Sequence, residues 1–135
     1  MTYRQQAAMA AIIYTIKNNR FFNSHNLGVK LIPDGARMYN FSGQITKDSI
    51  NFRDDKNNRI SDSQYYQNPW GVELDYISSR RSDRLKLYLP ENSSSFYGKD
   101  GDYFRFDGNY YSPSTEVSIR DTSQDRYESV YRITW

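Results

Sequence analysis

The chain has 135 residues, the usual size of one domain, so we expect a single domain over residues 1–135 with one hydrophobic core. Only 37% of the residues are hydrophobic and the mean hydropathy is -0.90, but 16% are aromatic, which is typical of folded rather than disordered chains. The 18 basic and 16 acidic residues nearly balance, which argues against a dedicated nucleic-acid binder. With no cysteine and one histidine, His25, thiolate metal sites and cysteine nucleophiles are excluded. We therefore expect neither a cofactor nor an enzyme.

The first predicted element is a helix over about residues 2–19. Thr2 and Gln5 have the spacing of a capping box. Apolar residues recur at the spacing of one helix face, at Met9, Ile12, Ile13 and Ile16. The opposite side is small rather than charged, which indicates packing along more than one face. No stretch approaches the ~18 apolar residues that a membrane crossing needs.

From about residue 27 to residue 135 the apolar period changes to two, which predicts antiparallel strands. The alternation is clearest over Trp70–Tyr76 and Leu85–Leu89, while Asp107-Gly108 predicts a hairpin turn. The polar stretches 54–68, 78–83 and 91–100 are predicted to be loops. The expected fold class is α+β: one N-terminal helix packed on an antiparallel β-meander of about six to nine short strands.

The order of these segments resembles a known family. The helix end Asn18–Phe21, the strand Gly28–Leu31, the segment Pro33–Tyr39 and the later Phe104–Gly108 are similar to the soluble part of type IV pilin-like proteins, nearest to minor pilins and pseudopilins of the GspH/FimT type. The resemblance implies a non-enzymatic assembly subunit of a type IV pilus or type II secretion filament, with other pilin-like subunits as partners. It also implies a periplasmic or extracellular head whose membrane anchor would precede Met1. The helix face expected to pack in the filament consists of Ala7, Ala8, Ala11, Ile12 and Thr15.

Two other functions fit the same pattern. A small ligand-binding β-barrel of lipocalin-like shape would close its sheet around an apolar cavity, with the helix plugging one end. A viral or mobile-element protein that binds and inhibits a host protein would equally lack catalytic motifs. A closed sheet favours the barrel, whereas an open sheet laid across the helix favours the pilin head.

The densest basic group is a candidate nucleic-acid patch, and it consists of Arg80, Arg81, Arg84 and Lys86. Lys99 and Arg105 could add cations, and Tyr103, Phe104 and Tyr110 could stack on unpaired bases. Aspartates lie among these cations, so a solvated mixed-charge loop is the favoured interpretation. The sequence therefore favours a solvated loop over a DNA-binding surface at these residues.

Acidic residues give weaker signals. Asp100, Asp102 and Asp107 form the best calcium candidate, but they fail the spacing of an EF-hand, and turn-forming aspartates are the favoured explanation. The carboxylates that could pair for acid–base catalysis have no distinguishing spacing: Asp54, Asp55, Asp62, Glu73 and Asp75. His25 is expected to be a connector residue. The aromatic residues Tyr65, Tyr66 and Trp70 could form an interface or close the end of the core.

Overall fold

The structure is a computed structural model that describes residues 1–19, 22–23, 26–32, 37–79, 81–111, 114–122 and 128–134. It contains one helix, α1 (Tyr3–Lys17), and eleven strands in the described ranges. The strands are β1 (Phe22–Asn23), β2 (Leu27–Ile32), β3 (Met38–Ile45), β4 (Ile50–Asp54), β5 (Arg59–Gln67), β6 (Trp70–Ile77), β7 (Ser82–Leu89), β8 (Ser95–Lys99), β9 (Arg105–Tyr110), β10 (Glu116–Asp121) and β11 (Glu128–Thr134). His25 and Arg80 lie outside the described residues, as do the helix-end residues Arg20 and Phe21 and positions 33–36 of the segment Pro33–Tyr39.

The sheet closes on itself. Its strand order is β1-β3-β2-β11-β10-β9-β8-β7-β6-β5-β4, and β4 pairs in turn with β3, with Ile50 opposite Ile45 and Phe52 opposite Gly43. Strands β2 to β11 therefore form a closed, antiparallel barrel of ten strands, while the two-residue strand β1 pairs with the end of β3. Closure leaves no free sheet edge among these ten strands.

The helix runs inside this barrel. It begins with the predicted capping box, in which the Thr2 hydroxyl accepts a hydrogen bond from the Gln5 N–H (3.0 Å) and the Gln5 side chain accepts one from the Thr2 N–H (2.9 Å). Every residue from Gln5 to Thr15 is buried, and each one from Ala7 to Ile13 is completely inaccessible. The predicted contact along more than one helix face is thus confirmed, and it extends around the whole circumference.

Small side chains explain how a helix fits there. A barrel of ten strands has a lumen wider than inward-pointing side chains alone fill. The four alanines of α1 keep the helix thin enough to enter, and its larger side chains fill the remaining space. The helix and the barrel wall are joined by a buried hydrogen bond, in which the Tyr131 hydroxyl of β11 donates to Gln6 Oε1 of α1 (2.7 Å). The helix is the centre of the core rather than a layer beside it.

The expected α+β fold is therefore wrong. The protein is mostly β, and its helix is enclosed by a closed barrel rather than laid across an open sheet. The pilin and pseudopilin assignment loses its structural support, because it required a helix with an exposed side. The face Ala7, Ala8, Ala11, Ile12 and Thr15 is fully buried in the lumen and is not an exposed packing surface.

Several boundaries also differ from the sequence expectation. Strand β6 confirms the strand predicted over Trp70–Tyr76, although Gly71 and Glu73 are buried as well as the apolar residues. The predicted hairpin at Asp107-Gly108 is wrong, because β9 runs straight through it. The stretches predicted as loops at 54–68 and 91–100 contain β5 and β8. Both strands are rich in polar residues because their outward side chains face solvent. The apolar signal that predicts a strand is therefore weak in both.

Candidate ligand-binding surface

One end of the barrel, around the start of the helix, is closed by ion pairs. The Met1 amino nitrogen lies 3.0 Å from Asp100 Oδ2 and 3.1 Å from Asp121 Oδ2. Burial lowers the pKa of this amine, but the hydrogen bonds and charges of the two carboxylates together outweigh it, and the net shift is upward. Beside them, Gln5 Nε2 donates to Asp83 Oδ2 (2.9 Å). These carboxylates attach the start of the helix to this end of the barrel.

The calcium candidates do not converge on one point. The Asp100 Oδ1 atom accepts two backbone N–H groups of its own turn, at 2.9 and 3.0 Å. Asp102 pairs with Arg81, whereas Asp107 pairs with Arg120 on the outer wall (2.9 Å). Within the described ranges, no group of three or more histidines, aspartates and glutamates is arranged to hold a metal ion.

The candidate catalytic carboxylates do not form one site, although Glu73 and Asp75 meet at Arg84 on the outer wall. Asp54 is buried and accepts a hydrogen bond from the Tyr76 hydroxyl (2.6 Å), and the pKa of Tyr76 is raised, first by burial and then by this bond. Asp62 accepts from Tyr65 (2.7 Å), and Asp55 pairs with an arginine at the start of the helix. These contacts hold the barrel together.

The predicted basic group divides in two. Arg81 lies at the barrel end, with its Nε atom 2.6 Å from Asp83. Arg84 and Lys86 instead alternate along the outer face of β7, where Arg84 Nε lies 3.1 Å from Asp75 Oδ1. The structure thus separates Arg81 from the two cations on the wall.

Three cations form a row across the outer wall, which we call the basic row: Lys86, Lys99 and Arg105. Lys86 lies opposite Lys99 in the β7–β8 pairing, and Lys99 lies opposite Arg105 in the β8–β9 pairing. None of the three forms an ion pair with a carboxylate of the described residues. Like charges directly opposite each other destabilise a sheet, so this row is a local cost to the fold.

A stack of tyrosines runs beside the basic row, and we call Tyr66, Tyr88 and Tyr97 the tyrosine stack. The ring centroids of Tyr66 and Tyr88 are 5.7 Å apart, and those of Tyr88 and Tyr97 are 5.2 Å apart with nearly parallel planes. Gly71 lies between Tyr66 and Tyr88 in the register, and a Cβ atom there would stand only 2.6 Å from the Tyr88 ring. Glycine at this position is what lets the rings meet.

A buried acidic residue, Glu73, connects the stack to the cations. The Tyr66 hydroxyl donates to Glu73 Oε2 (3.0 Å), and this hydrogen bond is the first cause of the raised pKa of Tyr66. Glu73 is 8% exposed and lies opposite Lys86 in the register, while its other oxygen is 3.9 Å from Arg84 Nε. The stack and the basic row therefore form one continuous surface.

The same surface contains a cleft of about 260 Å³. Lys86 and Lys99 line it together with Arg84 and Tyr103. The Tyr103 ring is 85% exposed, and its backbone has a φ of 66°, which bulky side chains rarely adopt. A strained, exposed aromatic residue beside unpaired cations is typical of a functional site rather than of packing.

Sequence reasoning named the cations and Tyr103 but missed the tyrosine stack. The stack joins β5, β7 and β8, two of which were interpreted as loops, so only the register reveals it. Of the other aromatic candidates, Trp70 is buried and Tyr65 packs partly against the core. These two close the core, whereas Tyr66 faces outward.

No family model, curated protein or solved structure matches this chain. Among the described residues, no helix combines the length and the apolar character that crossing a membrane requires.

Proposed function

We propose that this protein is a binding module whose ligand docks on the outer wall of the barrel, at the basic row and the tyrosine stack, and that the ligand is anionic. The observation that carries the proposal is the basic row itself. Cross-strand neighbours have Cβ atoms about 5 Å apart, and Lys86, Lys99 and Arg105 share that spacing without an ion pair to a carboxylate of the described residues. Glu73 lies opposite Lys86, but its carboxylate is bound by Tyr66 and faces Arg84. A bound anion would offset their mutual repulsion.

The closed barrel supports binding on the wall rather than in the lumen. A lipocalin-like protein binds its ligand inside the barrel, but α1 occupies that space here, with Gln5–Thr15 buried. The cleft beside Lys99 opens instead on the outer surface of the barrel, where a ligand can reach it. The closed sheet of the expected small ligand-binding barrel is present, but α1 fills the lumen in place of the expected apolar cavity, so the binding surface that we propose lies on the outside.

The proposal is tested by titrating the protein with short-chain inorganic polyphosphate in about 50 mM salt and measuring binding by calorimetry. Lys99→Glu should weaken binding at least tenfold, because it reverses the central charge of the basic row. Lys47→Glu is the matched control, since Lys47 is exposed in the β3–β4 turn and its replacement changes the net charge equally. Equal losses in the two variants, or no binding by the unmodified protein, would refute the proposal.

A further inference from the structure

We infer that the ligand of this surface is single-stranded nucleic acid, with its phosphates along the basic row and its bases against exposed aromatic rings. This inference rests on the proposed function and names its ligand class. It begins from the placement of Tyr97 and Tyr103, which lie on two sides of the same cations.

The distances fit a short stretch of backbone. Three neighbouring strands about 4.8 Å apart give the basic row a length of about 10 Å. Tyr97 and Lys99 project from the same face of β8, two residues and about 6.8 Å apart along the strand. Tyr103 borders the cleft that contains Lys86 and Lys99. A chain that alternates anionic links with planar rings matches this alternation of cations and aromatic rings.

The aromatic rings distinguish nucleic acid from other polyanions. Tyr97 is 45% exposed and Tyr103 is 85% exposed, so both offer ring surface to a ligand. Stacking on such rings does not depend on base identity, because every base has a π-face. A ligand with charge alone, such as polyphosphate, would leave both rings uncovered.

Unpaired strands fit better than a duplex. Reading a duplex through its major groove requires a helix or a β-ribbon that enters the groove. The helix described here is enclosed in the lumen, and the candidate surface is a barrel wall whose cleft beside Lys99 has a volume of about 260 Å³. Bases that are already unpaired can reach the rings directly.

The charges of this surface determine the expected affinity for a single strand and its dependence on salt. Arg84 and the basic row contribute four positive charges, against the two negative charges of Glu73 and Asp75. Two further carboxylates are already neutralised: Asp107, opposite Tyr97, pairs with Arg120, and Asp100, which lines the cleft, pairs with the Met1 amine. About three phosphate contacts predict that the logarithm of the binding constant falls with the logarithm of salt concentration with a slope of about -2. Binding is therefore expected to be modest and clearly salt-dependent.

The test measures fluorescence anisotropy of two labelled 12-mers: oligo-dT, and an abasic strand with the same phosphates and no bases. The unmodified protein should bind oligo-dT about tenfold or more tightly than the abasic strand. Tyr103→Asn removes the ring while keeping a residue that tolerates the positive φ, and it should weaken oligo-dT binding by about 5- to 100-fold. The same variant should leave abasic binding unchanged. Tyr111→Asn is the matched control, because Tyr111 is also exposed but lies outside the surface.

The outcomes separate this inference from the proposed function. If oligo-dT and the abasic strand bind equally, or if Tyr103→Asn and Tyr111→Asn have equal effects, the nucleic-acid inference is overturned. In that case, loss of polyphosphate binding in Lys99→Glu would still support an anion-binding wall. If Lys99→Glu changes neither polyphosphate nor oligo-dT binding, both proposals fail. Circular dichroism of each variant verifies that it is folded.

Discussion

Replacing Ile12 by alanine tests whether the helix is the centre of the barrel. The side chain is completely inaccessible in the lumen. The substitution removes three carbon atoms, worth about 2.4 kcal/mol at ~0.8 kcal/mol each. The closed barrel wall limits collapse around the gap, so the cavity adds to this and the total loss should be about 2–5 kcal/mol. That is a large part of the ~5–15 kcal/mol that stabilises an ordinary domain.

The assay is urea unfolding followed by tryptophan fluorescence, with Ile77→Ala as the matched control. Ile77 carries the same side chain on the outer wall, where it is 40% exposed, and its replacement should cost less than about 1 kcal/mol. If Ile12→Ala prevents folding, Ile12→Val should still show a loss of about 0.5–1.5 kcal/mol. If Ile12→Ala and Ile77→Ala lower the free energy of unfolding by similar small amounts, the helix is not enclosed by the barrel. The argument that places the binding site on the outer wall would then be refuted as well.

Three further predictions concern the same core. The pKa values of Tyr76 and Tyr131 are raised, in each case first by burial. Their stabilising effect is therefore complete well below the tyrosine pKa of about 10 in an unfolded chain and is lost as pH rises, because the unfolded chain then releases protons that the folded chain retains. Between pH 9 and 11 the free energy of unfolding should fall by about 1.4 kcal/mol in total for each tyrosine, and each Tyr→Phe variant should remove one such fall in urea titrations over this range. Gly108→Ala should cost about 1–3 kcal/mol in the same assay, because the new Cβ atom would overlap the backbone oxygen of Ser118; an unchanged midpoint would contradict the β9–β10 register. Gln6→Leu should cost about 1–3 kcal/mol by leaving the Tyr131 hydroxyl without its buried acceptor, and a neutral result would show that this hydroxyl finds another partner.

The sequence predicted individual elements well where one signal acted alone. The capping box at Thr2 and Gln5 fixes where α1 begins, and the alternation from Trp70 defines β6. The sequence did not predict strands whose outward face is polar. The strands β5 and β8 contain few apolar residues, and an aspartate-glycine pair inside β9 imitates a turn. In these cases pairing with neighbouring strands overrode the local preference.

For the candidate site, the sequence identified residues but not their grouping. Arg84 and Lys86 were predicted to belong to one basic group with Arg80 and Arg81, and Lys99, Arg105 and Tyr103 were among the possible additions. Their grouping with the tyrosine stack depends on the register of five neighbouring strands, β5 to β9, which no spacing along the chain specifies.

The sequence by itself determined that the chain has one capped helix of small and apolar residues followed by short strands with an apolar side. Only the tertiary structure decided whether those strands form an open layer or a closed wall, because alternation specifies two faces and says nothing of curvature or of which end strands pair. The β3–β4 pairing closes the barrel, makes the helix the centre of the core, and leaves the outer wall as the surface on which we propose that a ligand binds.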